Sequence, residues 1–286
     1  MRRRSLARAL AAAVVALGAA GCSGGSDDEG PAGAAGYVAI GDSFTSGPGI
    51  APADPDQPGC LRSLSNYPHL LASEGSASRL TDVSCGGETT EMLRDGRTLD
   101  GGTEVEPQLA SIGRETTRVT VGIGANDSGA TAGLYTNCLL PTSATDALCS
   151  SFTSTYMPTV FPKTLDSVVS VLDEVAQRAP DADVRLVGYL RIAPEQGQCA
   201  VLPLSETRRA MVAGYEQRLA STLAKAAQRA GVPYVDMHRA SVGHDACAGD
   251  QAWVNGLSDN TATGGGAFLH PTAAGMRAVA DQLGRR

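Results

Sequence analysis

Ser43 stands in Tyr37-Val-Ala-Ile-Gly-Asp-Ser43-Phe-Thr-Ser-Gly47, where a short apolar run breaks into a Gly-Asp-Ser turn, and His270 lies far downstream in Phe268-Leu-His270-Pro-Thr. A serine hydroxyl is a weak nucleophile until a neighbouring base accepts its proton. Histidine, with an ordinary pKa of about 6.5, suits that task near neutral pH. Pro271, read at a first helical position, would fix the loop that presents the His270 ring. Attack on an ester also builds negative charge on the carbonyl oxygen, which needs donors already aimed at it. The Ser43 amide, the Gly87 amide in Cys85-Gly-Gly-Glu-Thr-Thr90 and the Asn126 side-chain amide in Gly124-Ala-Asn-Asp127 could supply three. Taken singly these residues are ordinary turn and strand-end formers, so their order and placement have to carry the argument.

Five short runs have the β-branched or apolar character of buried strands: Tyr37 to Ile40, Leu80 to Ser84, Arg118 to Ile123, Val184 to Tyr189 and Pro233 to Met237. Between and after them lie helical patterns over Tyr67 to Glu74, Phe161 to Arg178, Glu206 to Ala230 and Thr272 to Leu283. Strands alternating with helices predict right-handed crossovers and a parallel five-stranded sheet, a three-layer α/β/α sandwich. In such sheets ligands bind beyond the carboxyl ends of the strands. Ser43, Gly87 and Asn126 each fall just past the end of a different predicted strand. Asp42 reads as a turn former and Asp127 as a structural carboxylate. His69, His238, His244 and Trp253 read as packing or solvated residues.

The chain starts with a basic head, Met1 to Arg8, then a short apolar run from Ala9 to Ala20, the pattern of a secretory signal over residues 1–21. Ala19-Ala-Gly-Cys22 has the form of a site where cleavage precedes a lipidated cysteine, with Ala19 where leucine is usual. The arginine pairs before Leu6 leave twin-arginine export open. Residues 22–35 are rich in Gly, Ser and acids and read as a flexible tether of about 20 Å, leaving residues 36–286 as one domain. Losing residues 1–21 removes four arginines and no acid, which moves the formal charge from −7 to −11. An acidic surface repels phosphate backbones, so nucleic acid is not an expected partner. The expected partners are a small-molecule or lipid ester, and the membrane through the Cys22 anchor alone, for a monomer that needs no cofactor.

With Cys22 lipidated, Cys60, Cys85, Cys138, Cys149, Cys199 and Cys247 form an even set in an exported chain. Their order suggests Cys60 with Cys85, Cys138 with Cys149 and Cys199 with Cys247. No Cys-x-x-Cys or His-x-x-x-His spacing points to a metal site.

Gly41-Asp-Ser43, Gly87, Gly124-Ala-Asn126-Asp127 and His270-Pro271 together resemble the four blocks of the GDSL or SGNH hydrolases. Asn66-Tyr-Pro68 and the cysteines resemble the exported actinobacterial esterase and lipase branch. The resemblance runs over nearly all of residues 36–286. It implies a flavodoxin-like α/β/α sandwich, Ser43 as nucleophile, Gly87 and Asn126 as oxyanion donors, and His270 as base. The family usually carries an aspartate three residues before the histidine, and here that residue is Ala267. Either a backbone carbonyl near Ala267 or Phe268 holds the imidazole, or a distant carboxylate such as Asp259 or Asp250 does. The residues thus point to an exported serine esterase or lipase that forms an acyl-enzyme. An acyltransferase, a carbohydrate deacetylase and a non-catalytic surface lipoprotein are the alternatives.

Overall fold

A computed structural model describes residues 36–74, 79–258 and 265–285. The signal segment, the Cys22 site, the tether and Asp259 lie outside these residues. Five strands form one parallel sheet: β1 (Gly36–Gly41), β2 (Leu80–Asp82), β3 (Thr116–Gly122), β4 (Asp183–Val187) and β5 (Tyr234–Val235). Their spatial order is β2-β1-β3-β4-β5, with every neighbouring pair parallel. The four principal helices are α1 (Tyr67–Ser73), α2 (Met157–Arg178), α3 (Glu206–Ala230) and α4 (Ala273–Gly284).

Successive side chains of a strand point to opposite faces, and β1 uses both. Val38 and Ile40 pack into the core shared with α2 and α3, where Val168, Leu172 and Leu223 are fully buried. Tyr37 and Ala39 turn to the other face, against Tyr67, Leu71, Met276 and Val279 of α1 and α4. Each large apolar side chain buried this way contributes about 1.5–3 kcal/mol. Covering both faces of a parallel sheet produces the expected α/β/α sandwich.

Two helix starts differ from the sequence reading. α2 begins at Met157, with Pro162 inside it, rather than at Phe161. A single missing N–H there is tolerated because the buried row Leu165, Val168, Leu172 and Val175 holds the helix onto the sheet. α4 starts from Thr272, whose hydroxyl accepts from Gly275 N at 3.1 Å. Pro271 therefore stands before the cap, not at the first helical position.

The three expected disulfides are present, Cys60–Cys85, Cys138–Cys149 and Cys199–Cys247, spanning 25, 11 and 48 residues. Cross-links of this kind stabilise a domain by about 2–4 kcal/mol each, chiefly by restricting the unfolded chain.

Candidate active site

At the carboxyl end of β1 the chain must turn against β3 without leaving the sheet. A Cβ on Gly41 would lie 2.6 Å from the Gly122 carbonyl oxygen, so only glycine fits. The buried Gln108 side chain fixes the same residue, accepting from Gly41 N at 2.8 Å and donating to its carbonyl at 3.1 Å. Asp42 then caps the short helix Ser43–Ser46, accepting from Phe44 N at 2.9 Å. Ser43 becomes the first residue of that helix, and its amide has no acceptor within the described residues.

Gly87 lies in a loop held at several points. Cys85 N donates to Gly41 O at 3.0 Å, and Gly86 N donates to Cys60 O at 2.9 Å. Arg97 donates to the Gly86 carbonyl and pairs with the buried Glu88 at 3.0 Å. Burial outweighs the arginine and raises Glu88 to about 7. With φ of +79° Gly87 occupies left-handed backbone, where a side chain would be strained. Its amide is also without an acceptor among the described residues.

Asn126 follows β3. One of its side-chain hydrogens goes to Glu88 O at 3.0 Å, which leaves the second free. Asp127 accepts from Thr90 N at 2.9 Å and Thr90 Oγ1 at 3.0 Å, tying this turn to the Gly87 loop. Asp127 is the structural carboxylate that its position implied.

His270 ends a tight turn over residues 267–270. His270 N donates to Ala267 O at 3.2 Å, and Leu269 holds φ of +59°. Positive φ at the third turn residue, with ordinary φ at the second, flips the central peptide. The Phe268 carbonyl thereby reaches His270 Nδ1 at 2.8 Å. The orienting carbonyl belongs to Phe268 and not to Ala267, because the Ala267 oxygen already accepts from His270 N and from Asn255 Nδ2 at 3.2 Å. An Nδ1–H committed to that oxygen leaves Nε2 as the free acceptor. No carboxylate is hydrogen-bonded to His270 among the described residues, Asp250 included. Burial holds the His270 pKa below its ordinary value, and the carbonyl contact offsets part of that shift.

Ser43, Asn126 and His270 all line one cavity of about 330 Å³. Its walls are apolar: Leu134, Tyr135 and Leu139 on one side, Leu190 and Ile192 on another, and Leu219 of α3. Gly87 is not a wall residue; its loop is tied to the wall residue Asn126 through the Glu88 carbonyl and to Gly41 through Cys85 N. Glu216 and His238 also reach the wall. The Glu216 carboxyl is pushed up to about 8 by burial, although it accepts from the Ile192 and Ala193 amides at 3.3 Å. Trp253 lies elsewhere, stacked on His244 at 3.9 Å.

Sequence patterns did not single out Tyr189, Gln108 or Glu216, and left Phe268 as one of two candidate carbonyls. Tyr189 alone left a signal, an aromatic residue at the predicted end of a strand whose neighbours end in Ser43 and Asn126.

The model of the GDSL-like Lipase/Acylhydrolase family matches residues 39–278. The chain belongs to this family. Within it, Lipase 2 of Streptomyces coelicolor is 32% identical over 295 residues, covering 98% of this chain and 97% of the lipase. Among solved structures, a phospholipase A1 from Streptomyces albidoflavus superposes with a TM-score of 0.74 at 30% identity, covering 86% of this chain and 97% of that one. The lipase from Streptomyces rimosus gives 0.70 at 29% identity, with 86% and 97% covered. This GDSL-like acylhydrolase is thus a carboxylic ester hydrolase on a three-layer scaffold.

Proposed function

We propose that this acylhydrolase cleaves lipophilic carboxylic esters through a Ser43 acyl-enzyme, with the acyl chain in the apolar cavity. The observation that carries this reading is the convergence of Ser43, Asn126 and His270 on that cavity, with His270 Nε2 left free by the Phe268 carbonyl. His270 Nε2 takes the Ser43 proton as Oγ bonds to the ester carbon. The Ser43 and Gly87 amides and the second Asn126 hydrogen hold the oxyanion. Collapse breaks the bond to the alcohol, which leaves with the proton from His270. Water then attacks the acyl carbon, giving its proton to His270; collapse breaks the bond to Ser43 Oγ, His270 returns the proton to that oxygen, and the acid is released.

The apolar walls favour a lipid-like acyl group over the acetyl groups of a polysaccharide. Three disulfides, the basic and apolar start of the chain, and the extracellular description of the rimosus lipase support export. Anchoring through Cys22 rests on Ala19-Ala-Gly-Cys22 alone. A fluorophosphonate probe tests the centre directly. Labelling of Ser43 that disappears in Ser43→Ala and His270→Ala is the expected result; labelling and ester turnover that persist in Ser43→Ala would overturn it.

A further inference from the structure

Beyond the carboxyl ends of β1 and β3, the backbone ladder that spaces the two strands runs out. Gly41 pairs with Gly122, and Asp42 N still donates to Gly122 O at 3.0 Å. From Ile123 to Asn126 no backbone hydrogen bond among the described residues reaches back to the Ser43 turn. Yet Ser43 and Asn126 have to face one oxygen atom, and displacements well under 1 Å matter to such a donor set.

One hydroxyl spans the gap. Tyr189, two residues past the end of β4, donates to Asp42 Oδ2 at 2.5 Å and accepts from Ala125 N at 3.0 Å. Asp42 immediately precedes Ser43, and Ala125 immediately precedes Asn126. The Tyr189 ring is held edge-on by Phe44 at 5.1 Å, and Phe44 in turn lies 5.6 Å from the His270 ring. Asp42 is 1% exposed, so this bond has little competition from water. A hydroxyl can serve as donor to a carboxylate and acceptor from an amide at once, and phenylalanine can do neither.

We infer that Tyr189 is a positioning residue for ester cleavage: its hydroxyl sets the spacing between the Ser43 turn and the Asn126 turn, so that both donors address the same oxyanion. This rests on the assignment of Ser43 and Asn126 proposed above. The Tyr189 ring also lines the cavity, and phenylalanine would keep that wall, but the hydroxyl itself is engaged with Asp42 and Ala125. Its effect should therefore fall on turnover rather than on ester binding, and should depend on Asn126 being present.

A double-mutant cycle with a p-nitrophenyl ester tests this. Tyr189→Phe should lower kcat by about 30-fold or more with KM within about 2-fold, since loss of one oxyanion donor costs about 10²–10³. In an Asn126→Ala background the same substitution should cost less than about 3-fold. A merely structural tyrosine would cost the same factor in both backgrounds, and that outcome overturns the inference. So does a Tyr189→Phe enzyme whose kcat stays within about 3-fold, or whose loss tracks only its folded fraction by circular dichroism. Turnover that survives in Ser43→Ala would instead remove the nucleophile assignment, a failure separate from that of Tyr189.

Discussion

The Phe268 carbonyl oxygen lies 2.8 Å from His270 Nδ1, two residues along the same turn. In a triad a carboxylate both orients the ring and stabilises the imidazolium formed during attack. A neutral carbonyl does the first task fully and the second weakly. Asp250→Asn should accordingly leave kcat within about 3-fold, whereas loss of a working triad carboxylate costs about 10⁴-fold. Steady-state kinetics on the purified variant, with His270→Ala as the inactive reference, checks this.

The pH profile follows from the same ring. Neutral His270 is the active form, and burial lowers its pKa relative to an exposed histidine. Lowering the pKa keeps the ring neutral further into acid. The acid limb of kcat/KM should therefore fall below pH about 6.5, the ordinary histidine value. A limb above that value would contradict the burial described for this site.

Most of the scaffold was readable from the chain because its signals are local. Strand runs bounded by glycine, and the helical spacing of Leu165, Val168 and Leu172, are set by neighbours in sequence. The positions of Ser43, Gly87 and Asn126 at strand ends followed from element order alone. Tyr189 and Gln108 were not readable, because their roles depend on which backbone groups they meet across the sheet. Phe268 was one of two residues left open, and the φ of Leu269 decided between them.

The Gly87 loop should depend on the Cys60–Cys85 bridge, since the bridge holds Cys85 beside Cys60, whose carbonyl accepts from Gly86 N. Replacing both cysteines by serine should lower stability by about 2–4 kcal/mol. It should also lower kcat by at least about 10-fold at temperatures where the variant remains folded. Urea unfolding and kinetics on the same preparation separate the two effects.

Glu216 has a stability signature. Its ordinary value is 4.5, and burial raises it to about 8 in the fold. Between those values the unfolded chain releases a proton that the folded chain retains, so stability falls as pH rises through the window. Glu216→Gln removes this contribution. The stability of the variant relative to the parent should thus increase by at least about 1 kcal/mol from pH about 5 to pH about 8 in denaturant titrations. A constant difference would show that Glu216 is ionised in the folded protein.

The acyl placement proposed above makes the cavity wall the limit on acyl length. Ala220 lies on α3 beside Leu219, at the boundary shared with a groove lined by Arg191 and Arg239. Ala220→Phe should shorten the space and reduce kcat/KM for long p-nitrophenyl esters by about 10-fold relative to short ones. A chain-length series that keeps its original profile would place the acyl group elsewhere.

If the Cys60–Cys85 bridge supports the Gly87 loop as predicted above, competence depends on redox history. A chain still in a reducing compartment carries Ser43 and His270 but lacks the cross-link beside the Gly87 amide. Esterase activity would then mature with oxidation, leaving the enzyme latent toward the lipids of the cell that makes it until the bridge closes.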